Sequence, residues 1–451
     1  MKIRKAMLLE FRVSNYRSIG EEQILSLVPA PKQKDYPQNI ISKSKYKGLN
    51  AISLYGPNGG GKSNILRSMS LLDMLVHISA RTSSVTKLPY DPFLLRDGWS
   101  NKPTTFEISF VVEENRYRYG LEFNSTEVQK EWLFRKSAGR EVSLFEREGN
   151  VIDVSSGYVG SKKLIDAAIE ATRVNALFLS TCDILNVEEA KKIMQWFKLF
   201  VMIDGLNTDD DIRTASLSEL NEYKETIRKY LSNLGLGLHD VEITPKDFEE
   251  SELPHSMPEN LKTQLAQKLK GSKSYIVHAI HQTYKSDGSP TNELHSWDFN
   301  ERESAGTQKA FKLSGPVLWA LANGGVLIID EIEAAMHPIM TLNTIELFLR
   351  KESNPNGAQL IFATHDTNLL SYSQLRRDQV CFAEKNKWES TELYTLSDFI
   401  YFEEKNGEFK SEKERPDTDK EKRYIEGRYG AIPVLGDFKN FIHSAKWRSK
   451  E

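Results

Sequence analysis

The stretch Leu54 to Asn64, LYGPNGGGKSN, decides the fold. Gly56, Gly61, Lys62 and Ser63 fill every fixed position of the spacing GxxxxGK[ST]. Amides freed of side chains can curl round a polyphosphate, a lysine ammonium can reach its terminal phosphates, and a serine hydroxyl can bind Mg²⁺. Both flanks agree with that use. Ala51 to Tyr55 reads as a short buried strand, and Ile65, Leu66, Met69, Leu72 and Val76 recur at the spacing of a packed helix over residues 63–77. With all anchors present and both flanks correct, the bland alternative of a glycine-rich turn loses.

A chain of 451 residues has room for a sizeable core and about two or three structural units. Its 39% hydrophobic and 27% charged residues are the balance of a globular protein. Sixty basic against 63 acidic residues, net charge -3, give no global pull toward nucleic acid and leave only a local basic face open. No stretch approaches about 18 apolar residues, so no membrane span is expected. Cys182 and Cys381 are too few and too far apart for a disulfide framework or a zinc site. They read as buried thiols of a reducing, cytoplasmic compartment. The basic start MKIRKAMLLEFRVSNYRS is interrupted by Glu10 and Arg12 before it reaches signal-peptide length.

Along the chain, Ala6 to Val13 reads as a first strand, followed by a turn at Ser14 to Ser18 and a second strand near Glu22 to Leu27. Residues 31–47 and 80–103 read as irregular surface segments. TTFEISFVVEENRYRYGLEFN alternates with period two on both sides of Glu114 and Asn115, a hairpin that Glu131 to Phe134 and Val142 to Arg147 extend. From Val187 to Gly235 the period turns helical, with Ile193, Trp196, Phe197 and Phe200 on one stripe and Leu217, Leu220, Ile227, Leu231 and Leu234 on another. Lys224 interrupts the second stripe, so a packed helical insertion is expected rather than a coiled coil. Residues 245–271 read as a polar connection, and Ser274 to Tyr284 with Glu293 to Phe299 as a strand pair joined through SDGSP. The expected division is a first lobe over 1–185, a helical insertion over 186–271 and a second lobe over 272–451.

A second chemical cluster lies in that last lobe. GVLIIDE, Gly325 to Glu331, is an apolar run ending in two carboxylates, the form of a buried parallel strand with acids at the end where α/β sheets bind ligands. Asp330 would bind Mg²⁺, directly or through water, and Glu331 would polarise the attacking water. A further strand, Gln359 to Ala363, ends in Thr364, His365 and Asp366, and the His365 imidazole could hydrogen-bond a γ-phosphate. Upstream, Glu303 to Gln308 is a small-residue turn at a helix start, by itself a weak anion signal.

In this order the parts resemble the ABC-type ATPase heads of the SMC, RecF and OLD groups, and most of all the AAA-type abortive-infection ATPases of prokaryotic anti-phage systems. FRVSNYRSI at Phe11 to Ile19 looks like their opening strand and turn, GPNGGGKSN their Walker A, and ESAGT at Glu303 to Thr307 their degenerate signature. LIIDEIEAAMHP at Leu327 to Pro338 resembles their Walker B, FATHD at Phe362 to Asp366 their switch histidine, and RYIEGRYGAIPVL at Arg423 to Leu435 their tail. The resemblance implies an α/β head, a mixed sheet around the phosphate-loop helix plus an antiparallel lobe, that uses ATP and Mg²⁺. It implies nucleotide contacts from Asn58, Gly59, Gly60, Gly61, Lys62, Ser63 and Asn64, with Arg17 as a further candidate. It also implies head-to-tail homodimers, in which Ser304 and the Gly306 amide touch the γ-phosphate held by the partner's Lys62. The switch histidine would be His365, the metal ligands Ser63 and Asp330, and the base Glu331.

OLD-type proteins carry a nuclease after the ATPase, whose metals need a glutamate on one strand and a DxD on another. Glu384 and the trio Asp417, Thr418 and Asp419 have the residue types, but the charged run before Asp417 contains no buried strand. NKxE at Asn386 to Glu389 reads as a hairpin turn rather than a guanine reader, so adenine is the expected base. The leading expectation is therefore an ATPase sensor and scaffold of a defence system that controls a separate effector, a nuclease or an RNase. The alternative is a DNA-repair clamp gripping duplex DNA, marked by a concentrated basic surface and a steep salt dependence.

Overall fold

The computed structural model describes residues 6–31, 33–204, 211–253, 259–405, 408–413 and 418–433. Its centre is a six-stranded sheet whose order is Phe200–Asp204, Val326–Asp330, Gln359–Ala363, Ala51–Tyr55, Val380–Lys385 and Thr391–Thr395. The first five strands run parallel and the last is antiparallel. A seven-stranded antiparallel sheet stands beside it, from Val151–Val154 at one edge through Val142–Glu148, Val128–Lys136, Asn115–Phe123, Thr104–Val112 and Ala6–Ser14 to Gln23–Ser26. The expected α/β class, a mixed sheet with an antiparallel lobe, is the observed one.

The central strands read as unbroken apolar runs because both of their faces are covered. Ile52, Leu54, Ile328, Ile361 and Ala363 join the core formed with Ile65, Leu66, Met69, Leu72 and Val76 of the phosphate-loop helix, Lys62–Ile78. Tyr55, Leu327, Ile329, Leu360 and Phe362 join the opposite core with Leu313, Val317 and Ala320 of the helix Ala305–Asn323. Alternate residues thus feed two cores, and every side chain of Ala51–Tyr55, Val326–Asp330 and Gln359–Ala363 is buried.

Helices Asp211–Ser218 and Asn221–Asn233 pack on Ala305–Asn323, and the second brings Ile227 and Leu231 against Phe299 and Phe311. Pro316 inside that long helix has no N–H for the Lys312 carbonyl four residues back. The Thr214 hydroxyl supplies the missing donor at 2.9 Å, and the same oxygen accepts from Gly315 N–H at 3.2 Å. A Cβ on Gly315 would lie 2.6 Å from that hydroxyl, so only glycine admits the helix Asp211–Ser218 so closely.

Several local expectations change. Phe200 opens a strand instead of continuing the helix Glu188–Phe197, because Phe200–Asp204 pairs with Val326–Asp330 at the sheet edge. Within 31–47, expected as loop, Ile40–Lys43 and Tyr46–Leu49 form a hairpin whose Ile41 and Tyr46 cover Met7, Leu9 and Val111. The 245–271 connection holds the end of strand Asp240–Asp247 and the helix Glu259–Leu269. Strand Asp240–Asp247 joins Lys273–Tyr284 and Pro290–Asp298 in a three-stranded sheet, so the expected strand pair has a third member. The hairpin turn falls at Glu113 and Glu114, one residue early, with Glu113 in the left-handed region at φ 58°. Among the described residues no helix is long and apolar enough to cross a membrane. Both cysteines are free and buried, as expected, and burial pushes both thiols up to about 12.

Candidate functional site

The phosphate loop leaves the carboxyl end of Ala51–Tyr55 and turns through Gly56, Gly59 and Gly61, with φ of 149°, 77° and 107°. At Gly56 and Gly60 a Cβ would meet the Ala383 carbonyl at 2.1 and 2.6 Å, and at Gly61 it would meet Thr391 Oγ1 at 2.0 Å. The glycines are therefore fixed by neighbouring strands as well as by backbone angle. Thr391 Oγ1 donates to the Gly60 carbonyl at 3.1 Å and lies 2.9 Å from Ser18 Oγ, which in turn accepts from Asn64 Nδ2 at 2.8 Å. The amino-terminal turn and the last strand of the sheet thereby brace the loop from outside. Lys62 is 5% exposed and its ammonium donates to the carbonyls of Gly56 and Pro57 at 2.7 and 3.2 Å. Asn58 and Gly59 stand exposed at the apex, and Ser63 is half-buried at the helix start.

Parallel pairing sets the acidic strand and the histidine strand in line with the loop. Ile329 is level with Phe362, and Ala363 with Leu54, so Asp330 comes level with Ala363 and Leu54, one residue short of Thr364 and Tyr55. Asp330, Glu331 and Glu333 are all close enough to Lys62 to raise its pKa, but burial prevails and leaves it lowered to about 8. His365 is lowered as well, by burial first and then by the Lys62 charge, against the pull of Glu333, Glu331 and Asp330. Lys62, Asp330, Glu331 and His365, drawn from three separate stretches, thus share one corner.

Asp330 is 5% exposed, and its Oδ1 is buried without a hydrogen-bond partner. A buried bare carboxylate oxygen beside a phosphate cradle fits a cation. Among the described residues no three of His, Cys, Asp and Glu gather as a metal cage. Glu331 has φ 50°, which turns the chain sharply after the strand.

Other expected residues fall elsewhere. Ser304 caps the helix Ala305–Asn323, its Oγ accepting from Thr307 N–H at 3.1 Å, and none of its hydrogen bonds reaches the phosphate loop. Gly306 lies against the turn after the acidic strand, where a Cβ would meet the Ala335 carbonyl at 2.8 Å. Arg17 is engaged by Asp91, through its Nε at 2.8 Å and its backbone N–H at 2.7 Å. Glu384 accepts from Ala431 N–H at 2.7 Å and so anchors the tail. Tail residues Tyr424 and Tyr429 pack on Phe382, with Tyr424 also against Tyr55. Asp417 lies outside the described residues. The Asn386 to Glu389 stretch is a hairpin turn in which Asn386 Oδ1 accepts from Trp388 and Ser390 N–H, as expected. Sequence reading missed Ser18 and Thr391, which carry no local signal, and Glu333, which was visible inside LIIDEIEAAMHP but without a role.

The family model described as "AAA domain, putative AbiEii toxin, Type IV TA system" matches residues 52–152 and 203–371. No curated protein matches the sequence. Among solved structures, the chain is similar to the SMC head domain from Thermotoga maritima at 11% identity and TM-score 0.37, over 86% of this chain and 98% of that one. An SmcHead bound to the C-winged helix domain of ScpA aligns at 13% identity and TM-score 0.39, over 86% and 97%. The recombination mediator RecF-ATP of the RecFOR pathway aligns at 14% and 0.32, over 84% and 97%.

Proposed function

The chain belongs to the AAA domain family described as putative AbiEii toxin, Type IV TA system, and from that premise we propose that it is an ABC-type ATPase whose heads pair around ATP. The observation that carries the reading is the bare, buried Asp330 Oδ1 in one corner with Lys62, Glu331 and His365. In this reading Lys62 and the amides of Asn58 to Asn64 bind the phosphates, and Ser63 and Asp330 would hold Mg²⁺, which would supply charge neutralisation for the transferring phosphoryl group. Glu331 takes the proton of the attacking water, and His365 hydrogen-bonds the γ-phosphate. Ser304 and the Gly306 amide close the site on the partner's nucleotide. We infer further a role in the cytoplasm as the ATP-dependent sensor and scaffold of an anti-phage system, with a separate nuclease or RNase under its control; the toxin–antitoxin wording of the family description is what supports a defence role.

Turnover and light scattering of the purified protein test the reading together. Lys62→Ala should abolish ATP binding, whereas Glu331→Gln should keep binding, lose about 10²–10⁴ in hydrolysis and accumulate a dimer. Equal turnover in wild type and the Gln variant removes Glu331 as the base. A nucleotide-independent monomer removes the paired heads, and a steep salt-dependent affinity for duplex DNA without a copurifying effector would favour a clamp instead.

A further inference from the structure

The turn after the acidic strand carries a carboxylate that none of these steps uses. Glu333 Oε1 accepts from the backbone N–H of His365 at 2.6 Å, while its Oε2 is buried without a partner. The same turn is tied to the same strand end a second time, through Ile332 N–H to the Ala363 carbonyl at 3.1 Å. Two bonds from one turn fix both where the chain leaves Ala363 and which way it points at His365. The neighbours of His365 are held by other means. Thr364 N–H bonds the Leu54 carbonyl at 3.1 Å, and Asp366 N–H bonds Thr364 Oγ1 at 3.0 Å. Among the described residues the His365 imidazole makes no hydrogen bond, so its place is inherited from its backbone, and Glu333 is the side chain that holds that backbone.

We propose that Glu333 is a positioning residue for His365, one carboxylate oxygen fixing the His365 amide so that the imidazole faces the γ-phosphate held by Lys62. The inference rests on the ATPase reading of this site and adds a residue to it. Glutamate suits the task because its oxygen reaches across the turn from a strand end to the next one. Glutamine retains an acceptor at the same reach, aspartate keeps the charge but is one methylene short, and alanine has neither.

The test uses the full chain and steady-state ATP hydrolysis. Glu333→Ala and Glu333→Asp should lower kcat about tenfold to a hundredfold with KM within about twofold, as expected for lost positioning. Glu333→Gln should stay within about threefold of wild type. The double variant Glu333→Ala, His365→Ala should be no slower than His365→Ala alone, because the two residues act as one unit. Amide exchange in the nucleotide-free protein should quicken over residues 362–368 in the Ala variant and not in the Gln variant. Wild-type kcat in Glu333→Ala, equal loss in Glu333→Gln, additive losses in the double variant, or unchanged exchange would each overturn the proposal. If instead the wild-type chain hydrolyses no ATP, it is the ATPase reading that fails, and amide exchange at His365 still decides the Glu333 contact.

Discussion

ATP binding should draw a proton from solution onto Lys62. The ammonium is buried among loop carbonyls, and burial outweighs the nearby carboxylates, bringing its pKa from 10.5 to about 8. That lowering corresponds to roughly 3 kcal/mol against the charged form. A triphosphate brings several negative charges to the same nitrogen and reverses the balance. At pH 8 about half of the free protein lacks this proton, so binding takes up about 0.5 proton per site, with about 0.1 at pH 7 and about 0.9 at pH 9. Affinity should be flat below pH 8 and fall about tenfold per unit above it. Calorimetric titration of a slowly hydrolysed ATP analogue, in buffers of differing ionisation enthalpy at each pH, reads the proton number directly. Lys62→Arg is the control, since its guanidinium stays charged throughout. Equal uptake at pH 7 and 9, or the same pH trend in the Arg variant, would refute the argument. Stability follows with the opposite sense to affinity. The unfolded chain keeps the proton between about 8 and 10.5 while the folded one does not, so this group destabilises the fold below 8 and the penalty is relieved as pH rises through that window.

Gly61→Ala should abolish nucleotide binding and lower the melting midpoint, because its Cβ would sit 2.0 Å from Thr391 Oγ1 at a φ of 107°; retained binding in a fluorescence titration would contradict the cradle geometry. Thr214→Val leaves the Lys312 carbonyl beneath Pro316 without a donor and should cost about 1–3 kcal/mol in denaturant unfolding, with KM for ATP unchanged. Glu384→Ala should release the tail and expose it to trypsin at Lys420, Arg423 and Arg428, whereas an undisturbed digest would mean that the Ala431 bond is dispensable. Gly306→Ala should slow turnover, and mixing it with Lys62→Ala subunits should restore activity if Gly306 acts only on the partner's nucleotide. No recovery would show that its Cβ acts within its own chain, by displacing Ala335.

What was legible in the sequence was what the chain states locally. Ala51–Tyr55, Val326–Asp330 and Gln359–Ala363 announce themselves as apolar runs that stop at polar residues, because both faces of each strand are buried and the ligand edge is not. Phe200 was misplaced because it continues the helical spacing of Ile193, Trp196 and Phe197. Its strand exists only through pairing with Val326–Asp330, far along the chain, and propensity gives way to such tertiary pairing. Thr391 illustrates the same limit within the site: a threonine after a hairpin turn is unremarkable until the fold places its hydroxyl under Gly60 and beside Ser18. Glu333 differs again, since its position in the acidic motif was plain and only the partner, a backbone amide thirty-two residues on, was not.

The distribution of backbone strain around the site argues for stiff walls around an unstrained loop. A non-glycine residue in the left-handed region costs about 1–3 kcal/mol and persists only where its surroundings over-determine it. Asn15, Arg17, Glu331 and Ala335 all lie there, with φ between 50° and 59°. Asn15 is held by carbonyls of Trp99, Lys102 and Pro103 and by Phe93 N–H, and Arg17 by both the backbone and the side chain of Asp91. The turn from Glu331 to Ala335 is held by Ala363 and by the Glu333 bond to His365. By contrast, the left-handed positions of the phosphate loop itself are Gly56, Gly59 and Gly61, where that backbone carries no Cβ penalty. Stabilising a phosphoryl transition state requires charges that need not reorganise when the reaction begins. On the proposed reading, strain locked into the turns that bear Arg17 and Glu331, beside a glycine loop braced by Thr391, Ser18 and Asn64, would meet that requirement.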